Sequence, residues 1–348
     1  MTKKKRSGFL KTLLTVAIVL AMLVYIYLKF FTASVHLKDK NYTYIFIDRE
    51  DTFEDVLRDI NAEKIIENEE TFDWLAKKME LDQNIHPGRY RIINGMTMRQ
   101  IINLLKYNKQ EKVKLTFNSQ IHDLNEFIEY TDDKLDLTDS EIEDLLEDEK
   151  KLNEYFGLDP DNSFAMIIPG VIEVSWAISP EEFMVILKDR YQKFWGPQRV
   201  GQSQKLGFSP AEITTIASIV QSESSIESEQ EKIAGVYINR LKMNMPLQAD
   251  PTLKFANKNY SALRVLDVDK EINSPYNTYR RKGLPPGPIC LVSQQAIDAT
   301  LNFSKHNFIY FCAKPKLNGF SDYSRTYTEH LKYARAYQKA LDKIGISR

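Results

Sequence analysis

The sequence predicts an α+β protein: a single N-terminal transmembrane helix, a small βααβα module, an intermediate region and a C-terminal mixed α/β domain. Three observations carry this. One long apolar run follows a basic N-terminus, short segments of period-two alternation are interspersed with capped amphipathic helices, and no second run is long enough to cross a bilayer. Boundaries are expected at residues 1–11 for a cytoplasmic basic tail, 12–31 for the span, 41–110 for the module, 111–200 for the intermediate region and 201–348 for the final domain.

The span is read from Thr12–Leu28, TLLTVAIVLAMLVYIYL, closed by Lys29, Phe30 and Phe31. Its 17 residues reach about 26 Å as a helix, near the hydrocarbon thickness. Lys3, Lys4, Lys5 and Arg6 before it set the N-terminus inside, giving a single-pass protein of the cytoplasmic (inner) membrane with an extracytoplasmic body. A cleaved signal peptide has a shorter apolar region, and FTASVH is a poor cleavage site. Lys+Arg number 47 against 48 Asp+Glu, so no global field argues for a nucleic-acid partner. Cys290 and Cys312 are not a CxxC pair; they form one disulfide or stand as two small buried residues.

A short polar stalk is expected near Leu37–Lys40. Alternation at Tyr42, Tyr44 and Phe46 then reads as a strand, and Thr52 caps a helix carrying Phe53, Val56 and Leu57. TFDWLAKKM fits a second helix, Gly88–Ile93 a second strand, and Thr97 caps a helix burying Ile101, Ile102, Leu104 and Leu105. Val113, Leu115 and Phe117 alternate as a strand, with a helix near HDLNEFIEYT. The acidic stretch after Thr131 lacks the spacing and central glycine of a calcium loop. It reads as one charged amphipathic helix with Ile142, Leu145, Leu146 and Leu152 inward. Met166–Trp176 reads as extended chain with a Pro-Gly turn, and Ser179-Pro180 starts another helix. Gly196–Gly207, rich in Gly and Gln, is the expected boundary before the last domain. That domain ends in a helix whose Leu331, Ala334, Tyr337 and Leu341 pack inward.

The chemistry concentrates in the last domain. Ser209 as N-cap, Pro210 at the first helical position and Glu212 completing a capping box start a strongly signalled helix. Ile213, Ile216, Ala217 and Val220 form its apolar stripe, and Glu223 falls on the edge of that stripe while Gln221 points away. Desolvation and the negative end of the helix dipole would both raise the pKa of Glu223. An acid kept protonated near neutrality suits general-acid cleavage of a glycosidic bond; a salt bridge to Arg240 or Arg280 is the plainer alternative. Ser228-Glu229-Gln230-Glu231 reads as a further capping box, opening a helix with Ile233, Val236, Tyr237 and Leu241 on one face. Ser274–Cys290, SPYNTYRRKGLPPGPIC, is dense in Tyr, Asn and Arg, a composition that suits sugar recognition or simply orders a surface loop.

ASIVQSES, KIAGVYINRLKMNMPLQADPTLKFA and SPYNTYRRKGLPPGPI together resemble the endolytic murein transglycosylases, the YceG-like family. Four spaced motifs match in order: Ala217–Glu223, Tyr237–Leu241, Leu247–Thr252 and Tyr276–Ile289. Gly88–Leu105 is similar to the end of that family's LysM-like module. The resemblance places the catalytic acid at Glu223, the second acid of the family's E-x-E segment, with Gln221 standing where the family has the first. It implies cleavage of the MurNAc–GlcNAc β-1,4 bond in nascent strands, forming a 1,6-anhydro end and terminating strand elongation. Asn239, Arg240, Gln248, Asp250, Tyr276, Asn277 and Tyr279 become candidates for binding saccharide or supporting the site. Gly170 departs from the family's Asp or Asn, and GFSDYSRTYTEH lacks a histidine often found before its aromatic. No metal or other cofactor is expected: HExxH, GxSxG, SxxK and a phosphate-binding glycine loop are all missing. The expected partners are peptidoglycan strands, the cytoplasmic membrane and peptidoglycan synthases. The competing function is a non-catalytic, membrane-anchored glycan-binding scaffold for cell-wall synthesis proteins.

Overall fold

A computed structural model describes residues 11–24, 34–37, 40–118, 120–262 and 265–343. Residues 11–24 form helix α1, with every side chain exposed. Among the described residues no helix is long and apolar enough to cross a membrane. The rest of the expected span, Tyr25–Phe31, lies outside them.

The chain forms two compact units. The first comprises Met1–Lys114, Lys134–Asp136 and Glu173–Ile178; the second holds the remainder. Within the first, β1 (Tyr42–Ile47) pairs antiparallel with β2 (Gly88–Ile93), from Tyr42 opposite Ile93 to Ile47 opposite Gly88. Helices α2 (Phe53–Ala62) and α3 (Glu69–Lys78) lie between the strands in sequence, and α4 (Met98–Lys106) follows. Capping boxes at Thr52 and Thr97 start α2 and α4 where the sequence signals them. The aromatic residues of β1 face outward, with Tyr42 and Phe46 exposed, while Ile45 and Ile47 face the core. There they join Phe72, Tyr90, Ile101, Ile102 and Leu105, whose truncation would cost about 2–5 kcal/mol each. Ahead of the expected stalk, the chain is already fixed at Ser34 and Val35. Both backbone N–H groups donate to the Met96 carbonyl (2.9 and 3.1 Å), and Val35 is fully buried.

The second unit is largely helical. The acidic stretch is two helices, α6 (Asp139–Glu147) and α7 (Glu149–Phe156), rather than one, following α5 (Leu124–Asp132). Asp148 leaves helical geometry (ψ 83°), and its carboxylate caps α7 by accepting from the Lys151 N–H. The inward Ile142, Leu145, Leu146 and Leu152 are as expected. After β4 (Gly170–Val174), which pairs with β3 (Val113–Phe117), comes α8 (Pro180–Phe194). The Gly- and Gln-rich stretch is itself a helix, α9 (Pro197–Leu206). Pro197 opens it, Gly207 closes it in the left-handed conformation, and Arg199 pairs with Asp298 at 2.8 Å.

At the centre of this unit lies α10 (Pro210–Glu223), bounded as its cap and proline dictate. It packs against α9, α11 (Glu227–Lys242), α12 (Asp250–Ala256) and α13 (Gln294–Leu301). Ile213–Val220 are all buried, so α10 has no solvent face to contrast with its apolar stripe. Its polar residues fit because each hydroxyl bonds to the turn before it: Thr214 to Pro210 O, Thr215 to Ala211 O and Ser218 to Thr215 O, all at 2.7–2.9 Å. The Ser228 capping box does not form. Helix α11 begins earlier, with Ile226 as N-cap, and Glu229 turns inward. Its Oε2 accepts from the Ser321 N–H and the Tyr323 hydroxyl, which ties the hairpin β5 (Tyr310–Ala313)–β6 (Ser321–Ser324) to α11. Helix α14 (Tyr327–Lys343) packs on that hairpin, with Leu341 buried; Leu331, Ala334 and Tyr337 are only partly covered.

Candidate active site

Glu223 is the last residue of α10. The Tyr237 hydroxyl, one helix on, donates to its Oε1 at 2.9 Å. Part of the Glu223 surface is exposed, yet loss of water around the carboxyl group is the largest influence on its acidity. Burial pushes the pKa up to about 7, and the charge of Asp250 adds to the rise. The Tyr237 hydrogen bond and the charge of Lys254 act the other way. Neither arginine from the salt-bridge alternative pairs with it. Arg240 donates to backbone carbonyls and Arg280 pairs with Glu271 at 3.2 Å.

Asp250 opens α12, exposed, and its Oδ1 accepts from the Tyr279 hydroxyl at 2.5 Å. Burial and Asp250 both raise the pKa of that phenol, so Tyr279 stays a neutral donor. The two tyrosines thus hold two carboxylates that sense each other's charge.

Arg240 and Asn239 are braces. The buried Arg240 donates through Nε to Ile309 O and through Nη1 to Leu247 O, both at 2.7 Å, and reaches Gln248 Oε1 at 3.4 Å. Asn239 Nδ2 donates to the carbonyls of His306 and Phe308. Gln248 is exposed with φ +51°, its N–H donating to Thr278 O. Of the predicted amides it is the most exposed.

Asn277 is not available to a sugar. It is 1% exposed; its Nδ2 donates to Lys270 O and Ile272 O, and its Oδ1 accepts from the N–H groups of Tyr279 and Arg280. It builds the turn that presents Tyr279. Tyr276 is partly buried against the domain core, its ring 4.6 Å from that of Phe255. Sequence reasoning missed two residues. Tyr237 was assigned only to a buried face, although a tyrosine there needs a hydrogen-bond partner. Gln221 does point away from Glu223, and it clamps the following loop: Nε2 donates to Leu291 O and Oε1 accepts from Ser293 N–H, both at 2.8 Å. Cys290 and Cys312 are both free thiols. Among the described residues no group of three or more His, Cys, Asp and Glu could hold a metal ion.

Glu223 thus stands at the end of a buried helix with a neutral phenol donating to one oxygen and its pKa pushed up by burial to about 7, an arrangement able to give up a proton near neutrality, on an α+β fold. The chain belongs to the YceG-like family, which matches residues 45–336. It is similar to the endolytic murein transglycosylase of Bacillus subtilis strain 168, 40% identical over 136 residues, which are 39% of this chain and 37% of that one. The endolytic murein transglycosylase of Streptococcus pneumoniae strain D39 is 35% identical over 130 residues, 34% of this chain and 24% of that one. The aligned part is therefore well under half the length of either relative. A crystal structure of a yceG-like protein from Listeria monocytogenes shares the fold, with a TM-score of 0.54 and 22% identity over 84% of this chain and 99% of that one.

Proposed function

We propose that the chain is an endolytic murein transglycosylase with Glu223 as its catalytic acid. The observation that carries this is a carboxyl group with a pKa near 7, hydrogen-bonded to Tyr237 and free of any salt bridge among the described residues. The names and similarity of the relatives support the substrate class. In the proposed reaction Glu223 gives its proton to the glycosidic oxygen as the C1–O bond of MurNAc breaks through an oxocarbenium-like state. The carboxylate then takes the proton of the C6 hydroxyl as O6 bonds to C1, closing a 1,6-anhydro ring and restoring the acid. Proton and bonds balance without water, so one carboxyl group serves both steps where a hydrolase uses two. Asp250 is assigned an electrostatic role: it keeps Glu223 protonated in the resting state and favours the cationic transition state. Arg240, Asn239 and Asn277 hold the loops around the acid, and Gln248 and Tyr279 border the substrate.

Residues 12–31 are inferred to cross the cytoplasmic membrane, on the strength of the apolar run and the basic cluster before it. This would confine cleavage to strands close to the membrane and near peptidoglycan synthases. The 41–110 module is assigned a LysM-like, glycan-positioning role. Incubating the protein with uncrosslinked glycan strands and reading the ends by mass spectrometry tests the proposal. Anhydro-MurNAc ends that disappear with Glu223→Gln support it. Reducing ends would make the enzyme a muramidase, and binding without cleavage would leave a scaffold.

A further inference from the structure

Strand β1 has one edge that nothing pairs. Asn41 and Asn94 form a hydrogen-bonded pair at its start, the Asn94 N–H donating to Asn41 O at 2.9 Å. From there the antiparallel ladder alternates, so Thr43, Ile45 and Ile47 turn their backbone groups toward β2 while Tyr42, Tyr44 and Phe46 turn theirs away. The far edge of β2 is partly used, with Arg89 O accepting from the Glu111 N–H at 2.8 Å. Among the described residues the N–H and C=O groups of Tyr42, Tyr44 and Phe46 have no hydrogen-bond partner. A groove of about 480 Å³ runs along them, with Lys40, Asp59, Ala62, Glu63 and Ile65 also in its lining. A further strand in that groove would lie about 4.8 Å from β1.

Proteins usually blunt such an edge with proline, a bulge or an inward-pointing charge. Tyr42–Ile47, YTYIFI, has none of these, and its pairing with β2 runs unbroken. Its outward rings are already ordered. Tyr42 lies under Arg91 at 4.1 Å, Tyr44 lies under Arg89 at 4.7 Å and donates to Glu111 at 2.8 Å, and Phe46 meets the Trp176 ring at 4.8 Å.

The strand is complementary to itself when reversed. With Tyr44 at a two-fold axis, Tyr44 pairs with the partner's Tyr44 and Tyr42 pairs with the partner's Phe46, which uses every free edge group. Any other register sets part of the strand opposite residues outside it. The same register lines up aromatic side chains on one face and brings Lys40 opposite the partner's Asp48, a favourable cross-strand pair at each end. Both charged residues are exposed and have no ion pair among the described residues. Asp48 is short of positive charge: burial and the charges of Asp51 and Asp136 push its pKa up, against a smaller opposing effect of Arg49.

We propose that the chain self-associates through β1, two copies joining edge to edge into one continuous antiparallel sheet in the order β2–β1–β1–β2. The proposal goes beyond the cleavage reading and does not depend on it.

The test uses the full chain in detergent micelles, its mass followed by sedimentation equilibrium over a range of concentrations. The mass should rise from that of one chain to that of two. Lys40→Glu and Asp48→Lys each set like charges against one another at both ends of the shared sheet, and each should weaken association about tenfold. An equimolar mixture of the two single variants, or the double variant, restores opposite charges at both ends. Either should return the association constant to within about threefold of wild type. Tyr44→Cys, at the axis, should be joined into dimers by a short bis-maleimide linker several times faster than the wild type, whose thiols are Cys290 and Cys312. A wild type that stays monomeric at every concentration overturns the proposal and leaves the edge to a strand from another protein. A dimer indifferent to both charge reversals, or a loss that neither the mixture nor the double variant restores, overturns it equally.

Discussion

The Tyr237 phenol donates to the Glu223 carboxyl group across 2.9 Å, from the middle of α11 to the last residue of α10. The bond opposes burial: it favours the carboxylate, while desolvation and Asp250 favour the acid. The Glu223 proton therefore sits on a balance that single substitutions can tip either way.

Glu223→Gln should lower the cleavage rate by at least about 10³-fold. It should also stabilise the protein at alkaline pH. The folded pKa, about 7, lies above the ordinary carboxyl value, so the native state binds more protons between the two and stability falls as pH rises through that window. Removing the acid removes that loss, worth on the order of 1–3 kcal/mol at pH 8 and nothing at pH 4. Urea unfolding at both pH values checks it.

For the wild type, kcat/KM should fall about tenfold per pH unit above pH ~7, as Glu223 in the free enzyme loses its proton. Tyr237→Phe removes a contact that lowers the pKa and should move this alkaline limb upward. Asp250→Asn removes a charge that raises it and should move the limb downward. Shifts in the same direction would show that the limb does not report Glu223.

Asn277→Ala should destabilise the fold by about 2–4 kcal/mol, since the Lys270 and Ile272 carbonyls and the Tyr279 N–H lose their side-chain partner in a buried turn. Denaturant midpoint and activity should decline together. A large rise in KM at unchanged stability would instead make Asn277 a sugar contact.

Gly235→Ala should cost about 1–3 kcal/mol by overpacking. An added Cβ would stand 2.6 Å from Ser304 O and 2.7 Å from the His306 ring, in the segment that Asn239 holds through His306 O and Phe308 O. A thermal unfolding midpoint equal to wild type would contradict this account.

What was legible in the sequence was local. Ser209, Pro210 and Glu212 announce the start of α10 within four residues, and the strand Gly88–Ile93 is bounded where its alternation stops. Glu223 was visible because an acid at the apolar end of a helix is costly. Its partner was not, since a contact between residues 14 apart on successive helices depends on how those helices pack. The Ser228 pattern failed for a related reason: Glu229, inside the supposed box, is claimed by Ser321 and Tyr323 more than 90 residues away. Composition could not separate Asn277, spent on backbone, from Gln248, which is exposed. Gly207, at the end of the stretch expected as a domain boundary, is a helix terminator.

Both carboxylates at the site are held by phenols and not by cations. A guanidinium in either place would have fixed the side chain equally well and cancelled its charge. A phenol fixes it and leaves the negative potential of the cleft standing. Small anions such as phosphate or sulfate are then poor competitors for the site at low ionic strength; added salt screens that repulsion but does not release either carboxylate, since neither is held by an ion pair.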